Sequence, residues 1–147
     1  MKSENISIRL AVKKDMLTVY EQICDLENKA LNMNEFKKIF NANILSNNIL
    51  YLVAEYNNEN IIGFISCHIQ NLLHHAGKVA EIQELFVKKD NRGQGIGQAL
   101  VKCIEQELIA LDCISFEVTA QNKRIDTHEF YTKMGFNQSH LKFTKKL

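Results

Sequence analysis

Six residues, Arg92-Gly93-Gln94-Gly95-Ile96-Gly97, carry the clearest chemical signal in the chain. They join a strand-like run, Val79 to Val87, to a helix-like run, Gln98 to Leu111. A glycine-rich turn that opens a helix suits a phosphate. The N–H groups of the first helical turn have no intrahelical acceptor, and the helix dipole favours negative charge there. Lys88, Lys89 and Arg92 approach the turn against one carboxylate, Asp90. A surface turn without a ligand needs neither three glycines nor this sign of charge. Spacing excludes two common phosphate loops. A dinucleotide fingerprint requires a third small residue, but Gln98 holds that place counting from Gly93, and Leu100 counting from Gly95. Glu117 does stand where an acidic ribose ligand would be expected, so the exclusion rests on that third position. A Walker A loop needs Gly-Lys-Ser/Thr, and the chain has no such run. What remains is R-x-x-G-x-G.

Three carboxylates flank this turn in sequence: Glu81 and Glu84 on the preceding strand, and Glu117 on the following one. Glu81 and Glu84 are three residues apart, so a regular strand turns them to opposite sides, and only a bulge would bring both into one cleft. Glu117 alternates with Phe116 and Val118 and faces away from them. His68, His74 and His75 fall at a strand end and in the next loop. Histidine with carboxylate can hold a metal, but no HExxH or comparable spacing occurs, and a polar loop surface explains them equally well.

The elements that must position these residues can be read from periodicity. Ile6, Ile8, Leu10 and Val12 alternate as a half-buried strand. Asp15 is placed to cap a helix bearing Leu17, Tyr20, Ile23 and Cys24. Asn34 is the expected N-cap of a second helix through Phe36, Ile39, Phe40 and Ile44. Strands Ile49 to Tyr56 and Ile61 to Ile69 form a hairpin across Asn57-Asn58-Glu59-Asn60. Asn71 to Gly77 reads as a loop, and Val79 to Val87 as a strand. Ile96, Leu100, Ile104, Leu108 and Leu111 line one face of a long helix. A strand from Ile114 to Thr119 and a helix from Ile125 to Met134 follow, with Gly135 as the stop. Phe136 to Phe143 reads as extended. The order β-α-α-β-β-β-α-β-α-β makes an α/β fold: a central, mixed, mostly antiparallel sheet flanked by helices, in one domain over residues 1–147.

Composition narrows the function. The 147 residues are 46% hydrophobic and 24% charged, enough for a real core. A net charge of +1 gives no field for nucleic acid or an acidic membrane surface. The first five residues are polar and show no signal-peptide core, and no apolar run approaches the ~20 residues of a membrane span. Cys24, Cys67, Cys103 and Cys113 are scattered, which fits small core hydrophobes in a reducing cytoplasm.

The R-x-x-G-x-G turn resembles the pyrophosphate-binding signature of the GNAT N-acetyltransferases, Q/R-x-x-G-x-G/A. Phe130-Tyr131-Thr132-Lys133-Met134-Gly135-Phe136 resembles the family's F-Y-x-x-x-G-F ending. Further blocks are similar to the aminoalkylphosphonate N-acetyltransferases within that family, among them His68-Ile69-Gln70, Leu73-His74-His75, Glu81-Ile82-Gln83-Glu84-Leu85, His128-Glu129-Phe130-Tyr131 and Gln138-Ser139-His140. The resemblance implies the GNAT fold, acetyl-CoA as co-substrate and a small primary amine as acceptor, either an aminoalkylphosphonate or an amino-acid-like amine. It implies that Arg92, Gly93, Gln94, Gly95, Ile96 and Gly97 hold the coenzyme's pyrophosphate. Backbone N–H groups of Leu85, Phe86 and Val87 would face the pantetheine and acetyl carbonyl, and the Tyr131 hydroxyl would lie near the sulfur. The family often has a cofactor-binding Asn seven residues before that tyrosine. Arg124 occupies the place here, and Asn122, two residues off, is carried over in its stead. Members of the closer group can depend on a divalent metal, a dependence left open here with no metal ligand assigned. A homodimer is likewise left open.

Acetyl transfer to an amine sets three demands. An ammonium with pKa near 10 must lose a proton, roughly 4 kcal/mol at pH 7 if unassisted. The thioester oxygen gains charge and needs preorganised donors. The leaving thiolate needs a proton donor, for which Tyr131 is the candidate. For the base, Glu81 and Glu84 rank above Glu117 because they flank the expected acetyl site, with deprotonation through water as another route. A non-catalytic acyl-CoA-binding module and a peptide or protein acetyltransferase are the competing readings.

Overall fold

Alternation builds the first strand, β1 (Ile6–Leu10), which lies at one edge of a five-stranded sheet. The structure, a computed structural model, describes residues 5–120 and 125–147. Two helices follow, α1 (Met16–Glu27) and α2 (Met33–Asn43), and then β2 (Ile49–Tyr56), β3 (Asn60–Leu72) and β4 (Gly77–Val87). The long helix α3 (Ile96–Ala110), β5 (Ser115–Val118) and α4 (Ile125–Lys133) complete the described elements. Sheet order is β1-β2-β3-β4-β5, with each pair antiparallel except the parallel β4–β5. The α/β fold expected from the sequence is present.

Asn57 and Asn58 make the β2–β3 hairpin possible, because both adopt positive φ (56° and 58°), as a tight primed turn demands. The next hairpin is longer than expected. β3 runs on to Leu72, a single 3-10 turn covers Leu73–His75, and β4 begins at Gly77, so most of the expected Asn71–Gly77 loop is strand or turn.

The sheet buries a core on each face. On one, Leu52, Ile65, Cys67, Ile69 and Ile82 pack against Ile96, Leu100, Ile104 and Leu108 of α3 and Tyr131 of α4. On the other, Val53 and Phe64 pack against Val19 and Ile23 of α1 and Phe40 of α2.

Three local expectations are corrected. Asn32, not Asn34, caps α2: its side chain accepts the Glu35 N–H at 3.0 Å. Asp15 does occupy the N-cap of α1, but its carboxylate turns away from the helix. It accepts from Arg9 at 2.7 and 2.9 Å and from the Val12 N–H at 2.8 Å, while Arg9 also donates to Glu55 at 2.7 Å. Burial would raise the Asp15 carboxyl, but the bonds from Arg9 and Val12 outweigh it and hold the group below the usual range. The last expected strand does not form. Gly135 (φ +93°) ends α4, Phe136 docks on Phe116 and Tyr131, and residues 137–147 carry no strand. Leu141 and Phe143 alternate as a strand would, but both stand exposed with no sheet surface beneath them.

Candidate active site

The glycine-rich turn is built as its spacing suggests. The Lys88 N–H donates to the Ile62 carbonyl at 2.8 Å, tying the end of β4 back to β3. A short 3-10 turn, Lys89–Asn91, reverses the chain. Arg92 then donates through Nε to the Val87 carbonyl at 2.8 Å, and its guanidinium carbon lies 5.8 Å from the centre of the Phe86 ring. Gly93 and Gly95 take φ of +77° and +81°, the left-handed region that penalises a side chain. A Cβ at either position would meet nothing within 4 Å, so the outer surface of the turn is open. Gly95 is the N-cap of α3, which leaves the first-turn N–H groups aimed into that opening. Gly97 serves packing: a Cβ there would stand 3.5 Å from Phe130 of α4 and 3.9 Å from Val87.

The sheet opens beside this turn. Pairing of β4 with β5 runs from Val79–Ser115 to Ile82–Val118 and ends there. Leu85, Phe86 and Val87 stay paired with β3 on their other side. Alternate backbone groups of Gln83 to Val87 therefore face a side with no strand among the described residues. A parallel pair that splays leaves unsatisfied N–H and C=O groups, which a ligand can satisfy.

A bulge decides where the carboxylates point. Ser66 pairs with Glu84 and Cys67 with Ile82, so Gln83 is an extra residue in β4. Glu81 pairs with His68, and Ser66 and His68 share a face of β3, so Glu81 and Glu84 also share a face. That face carries two rows across the strands. One row is Tyr51, Ser66 and Glu84; the other is Ile49, His68, Glu81 and Glu117. All three carboxylates thus lie on the α1/α2 face of the sheet.

Their settings differ. Glu84 borders an apolar cleft of about 210 Å³, together with Val19, Phe36, Phe40, Tyr51 and Phe64. Ser66, fully buried, donates its hydroxyl to the Glu84 carboxylate and accepts the Glu84 N–H at 2.9 Å. Glu81 accepts from Gln83 at 2.9 Å and from Thr119 at 3.4 Å. Glu117, its side chain part-exposed, accepts from Ser115 at 3.3 Å and lies 3.9 Å from His75 Nε2. Burial raises the Tyr51 phenol, and the nearby Glu84 charge adds to the rise against an opposing hydrogen bond from Asn43.

Tyr131 sits on α4 with its ring edge-on to Phe130 and Phe136, at centroid separations of 5.0 and 5.5 Å. It is 8% exposed, and burial pushes its phenol up to about 12. Asn122 and Arg124 lie outside the described residues. Among the described residues no group of three or more His, Cys, Asp or Glu is placed to hold a metal ion. The His74 and His75 rings lie side by side with their planes tilted by 59°, 4.4 Å between ring centres.

Sequence reading missed Ser66 and the aromatic cleft. The signal for Ser66 was present: it is the lone small hydroxyl in the apolar run Ile61 to Ile69, and pairing puts it in the same row as Glu84.

Comparisons with known proteins converge on one family. The model of the acetyltransferase (GNAT) family matches residues 16–136. Over 140 residues, 95% of this chain and 90% of the relative, the sequence is 41% identical to an aminoalkylphosphonate N-acetyltransferase of Salmonella typhimurium. A Bacillus halodurans structure described as a transcriptional regulator shares the fold with a TM-score of 0.88 at 23% identity, covering 97% of this chain and 99% of that one. Glucosamine-6-phosphate N-acetyltransferase from Arabidopsis thaliana does so with a TM-score of 0.80 at 19% identity, covering 96% and 97%. Taken with the fold, these matches show that the chain belongs to the GNAT family and is an N-acetyltransferase.

Proposed function

We propose that the enzyme moves the acetyl group of acetyl-CoA to the primary amine of a small acceptor, by direct attack within a ternary complex. The observation that carries this is the pairing of two half-sites. An open, cation-flanked glycine turn at the N-terminus of α3 leads into the unpaired edge of β4, and a buried-serine-oriented carboxylate stands on that same strand.

Arg92 to Gly97 would hold the coenzyme pyrophosphate through backbone N–H groups and the helix dipole. The free backbone groups between Leu85 and Val87 would receive the pantetheine and polarise the thioester carbonyl, as donors to a developing oxyanion do. Glu84, the carboxylate nearest the apolar cleft, would take the proton of the acceptor ammonium, with Glu81 on the same face as a second acceptor or water-holding group. The amine nitrogen then bonds to the carbonyl carbon as the carbon–sulfur bond breaks. The nitrogen's second proton is lost as the amide forms, the departing thiolate takes up one proton from solvent to become the free thiol, and Glu84 returns its proton to solvent, so that one proton is released in all.

Tyr131 would stand at the leaving sulfur. With a pKa near 12 its phenol keeps its proton at neutral pH. Full transfer to a thiolate with pKa of about 8.5 would run uphill. Its part is better described as hydrogen-bond donation to the developing thiolate than as proton delivery. Asn122 is retained as a cofactor contact on the strength of the family resemblance alone.

The aminoalkylphosphonate named for the 41%-identical relative is the first acceptor to try, and the cytoplasm is the proposed compartment. No helix among the described residues is long and apolar enough to cross a membrane. The test is thermal shift with acetyl-CoA, followed by thiol release with a panel of small amines. Stabilisation by acetyl-CoA and amine-dependent thiol release support the reading. No stabilisation at millimolar acetyl-CoA would overturn it.

A further inference from the structure

Two hydrogen-bond donors stand beside the carboxylates on one surface of the sheet. Tyr51 of β2 and His68 of β3 are diagonal neighbours on the α1/α2 face, since Tyr51 pairs with Ser66 and Ile49 with His68. Glu84 and Glu81 of β4 lie on the same face, in the rows of Tyr51 and of His68 respectively. The hydrocarbon beside them is closed core: Val19, Phe40 and Phe64 are 1%, 2% and 2% exposed and belong to one packed cluster. Tyr51, His68, Glu81 and Glu84 are each half-buried, so a small molecule can reach them without entering that core.

Hydrogen-bonding roles divide along the strands. The Tyr51 hydroxyl accepts from Asn43 at 2.7 Å and keeps its own proton for an acceptor. Burial raises that phenol, so it stays protonated at neutral pH. An imidazole carries an N–H donor in either protonation state. His68 pairs with Glu81 across the ladder, yet Glu81 accepts from Gln83 at 2.9 Å and from Thr119 at 3.4 Å. Ser66, between the two donors and the carboxylates, gives its hydroxyl to Glu84. So β2 and β3 offer protons and β4 offers carboxylates. Spacing then sets the length of the ligand. Tyr51 and Glu84 are two strands apart, about 10 Å at ~4.8 Å per strand. Two hydrogen bonds of ~2.8 Å leave about 4 Å between the ligand's charged ends, the span of a two-carbon link. An ammonium at Glu84 offsets that carboxylate, so an anion at the far end meets donors and not a bare negative charge.

We propose that Tyr51 and His68 are specificity-determining residues that select a short zwitterionic amine, its nitrogen on Glu84 and its anionic group on the Tyr51 hydroxyl and a His68 N–H. This rests on the acetyl-transfer reading above and deepens it. It supplies a physical reason for an aminoalkylphosphonate, the compound class in the name of the 41%-identical relative, to suit this face.

The test measures thiol release by the full chain at saturating acetyl-CoA with 2-aminoethylphosphonate and with n-propylamine, which replaces the anionic group by a methyl. Wild type should show a kcat/KM at least about tenfold higher for the phosphonate. Tyr51→Phe and His68→Ala should each raise KM for the phosphonate by about tenfold, the scale of a lost hydrogen bond to a charged group, with kcat little changed. Kd for coenzyme A and the denaturant midpoint, measured on both variants, should stay near wild type, which separates lost recognition from lost folding. Equal or better use of n-propylamine by the wild type overturns the inference and leaves acetyl transfer standing. So does an unchanged phosphonate KM in either variant, or a rise matched by an equal loss of coenzyme A binding. Thiol release with neither amine, nor with any other primary amine, overturns both readings together.

Discussion

Ser66 holds Glu84 from two directions, accepting its backbone N–H at 2.9 Å while donating a hydroxyl to its carboxylate. The bulge at Gln83 sets the facing of the two carboxylates, because in a regular strand Glu81 and Glu84 would lie on opposite faces of the sheet. Ser66 is therefore a positioning residue, acting through Glu84. Ser66→Ala should lower kcat by about tenfold while leaving the KM for acetyl-CoA unchanged, and should lose about 1 kcal/mol of stability with the hydrogen bond. Ser66→Thr, which keeps the hydroxyl, should recover part of kcat. Steady-state kinetics of the two variants, with denaturant melts, check this. An unchanged kcat in Ser66→Ala would remove the residue from the role.

The glycine turn makes a prediction about coenzyme affinity. Gly95→Ala places a methyl at a φ of +81°, where no protein atom lies within 4 Å. The cost to folding is then backbone strain alone, about 1–2 kcal/mol. The methyl also projects into the opening assigned to the pyrophosphate, so Kd for coenzyme A should rise by about tenfold or more. Gly135→Ala, at a φ of +93° beyond α4, carries similar strain and serves as the comparison. Titration calorimetry should show weakened binding in the first variant and not in the second.

Tyr131→Phe should retain coenzyme A binding and lower kcat by about 10- to 100-fold, the span of a lost donor to developing charge. The raised phenol adds a pH signature. A group in hydrogen-bonding use with a pKa near 12 gives no loss of activity as pH passes 10. A fall in kcat with a midpoint near 10 that vanishes in Tyr131→Phe would contradict that assignment.

Alkaline stability follows from two buried groups. Burial pushes the Tyr131 phenol and the Cys67 thiol up to about 12, from ordinary values of 10.0 and 9.0. Each folded pKa lies above its unfolded value, so the unfolded chain releases these protons first as pH rises. The associated stability is complete below pH 9 and is lost progressively between pH 9 and 12, on the order of 3 kcal/mol for each group. Melting temperature against pH should fall across that window, and Cys67→Val should flatten the fall. On the acid side, the depressed Asp15 carboxyl contributes stability that is present above its unfolded value and lost as pH drops below about 4.

Much of the site was legible because its parts are local in sequence. The turn Arg92 to Gly97, the Phe130-Tyr131 pair and the three carboxylates each announce themselves by residue type and spacing. The facing of Glu81 and Glu84 was not legible. A β-bulge follows from pairing with β3, and the spacing of two glutamates on one strand carries no mark of it. The cleft was hidden for a related reason: Val19, Phe36, Tyr51 and Phe64 come from four separate elements, each of which reads alone as ordinary core. The tail shows the opposite failure, since the alternation of Leu141 and Phe143 promised a strand without an element for it to pair against.

The most direct test is the rate at which N-acetylated amine forms from acetyl-CoA and a small primary amine, in wild type and Glu84→Gln. The account predicts product with the wild type and a kcat lowered by about 100-fold or more in the variant, with KM for acetyl-CoA unchanged. No acetylated product with any primary amine, or full turnover by Glu84→Gln, would contradict it.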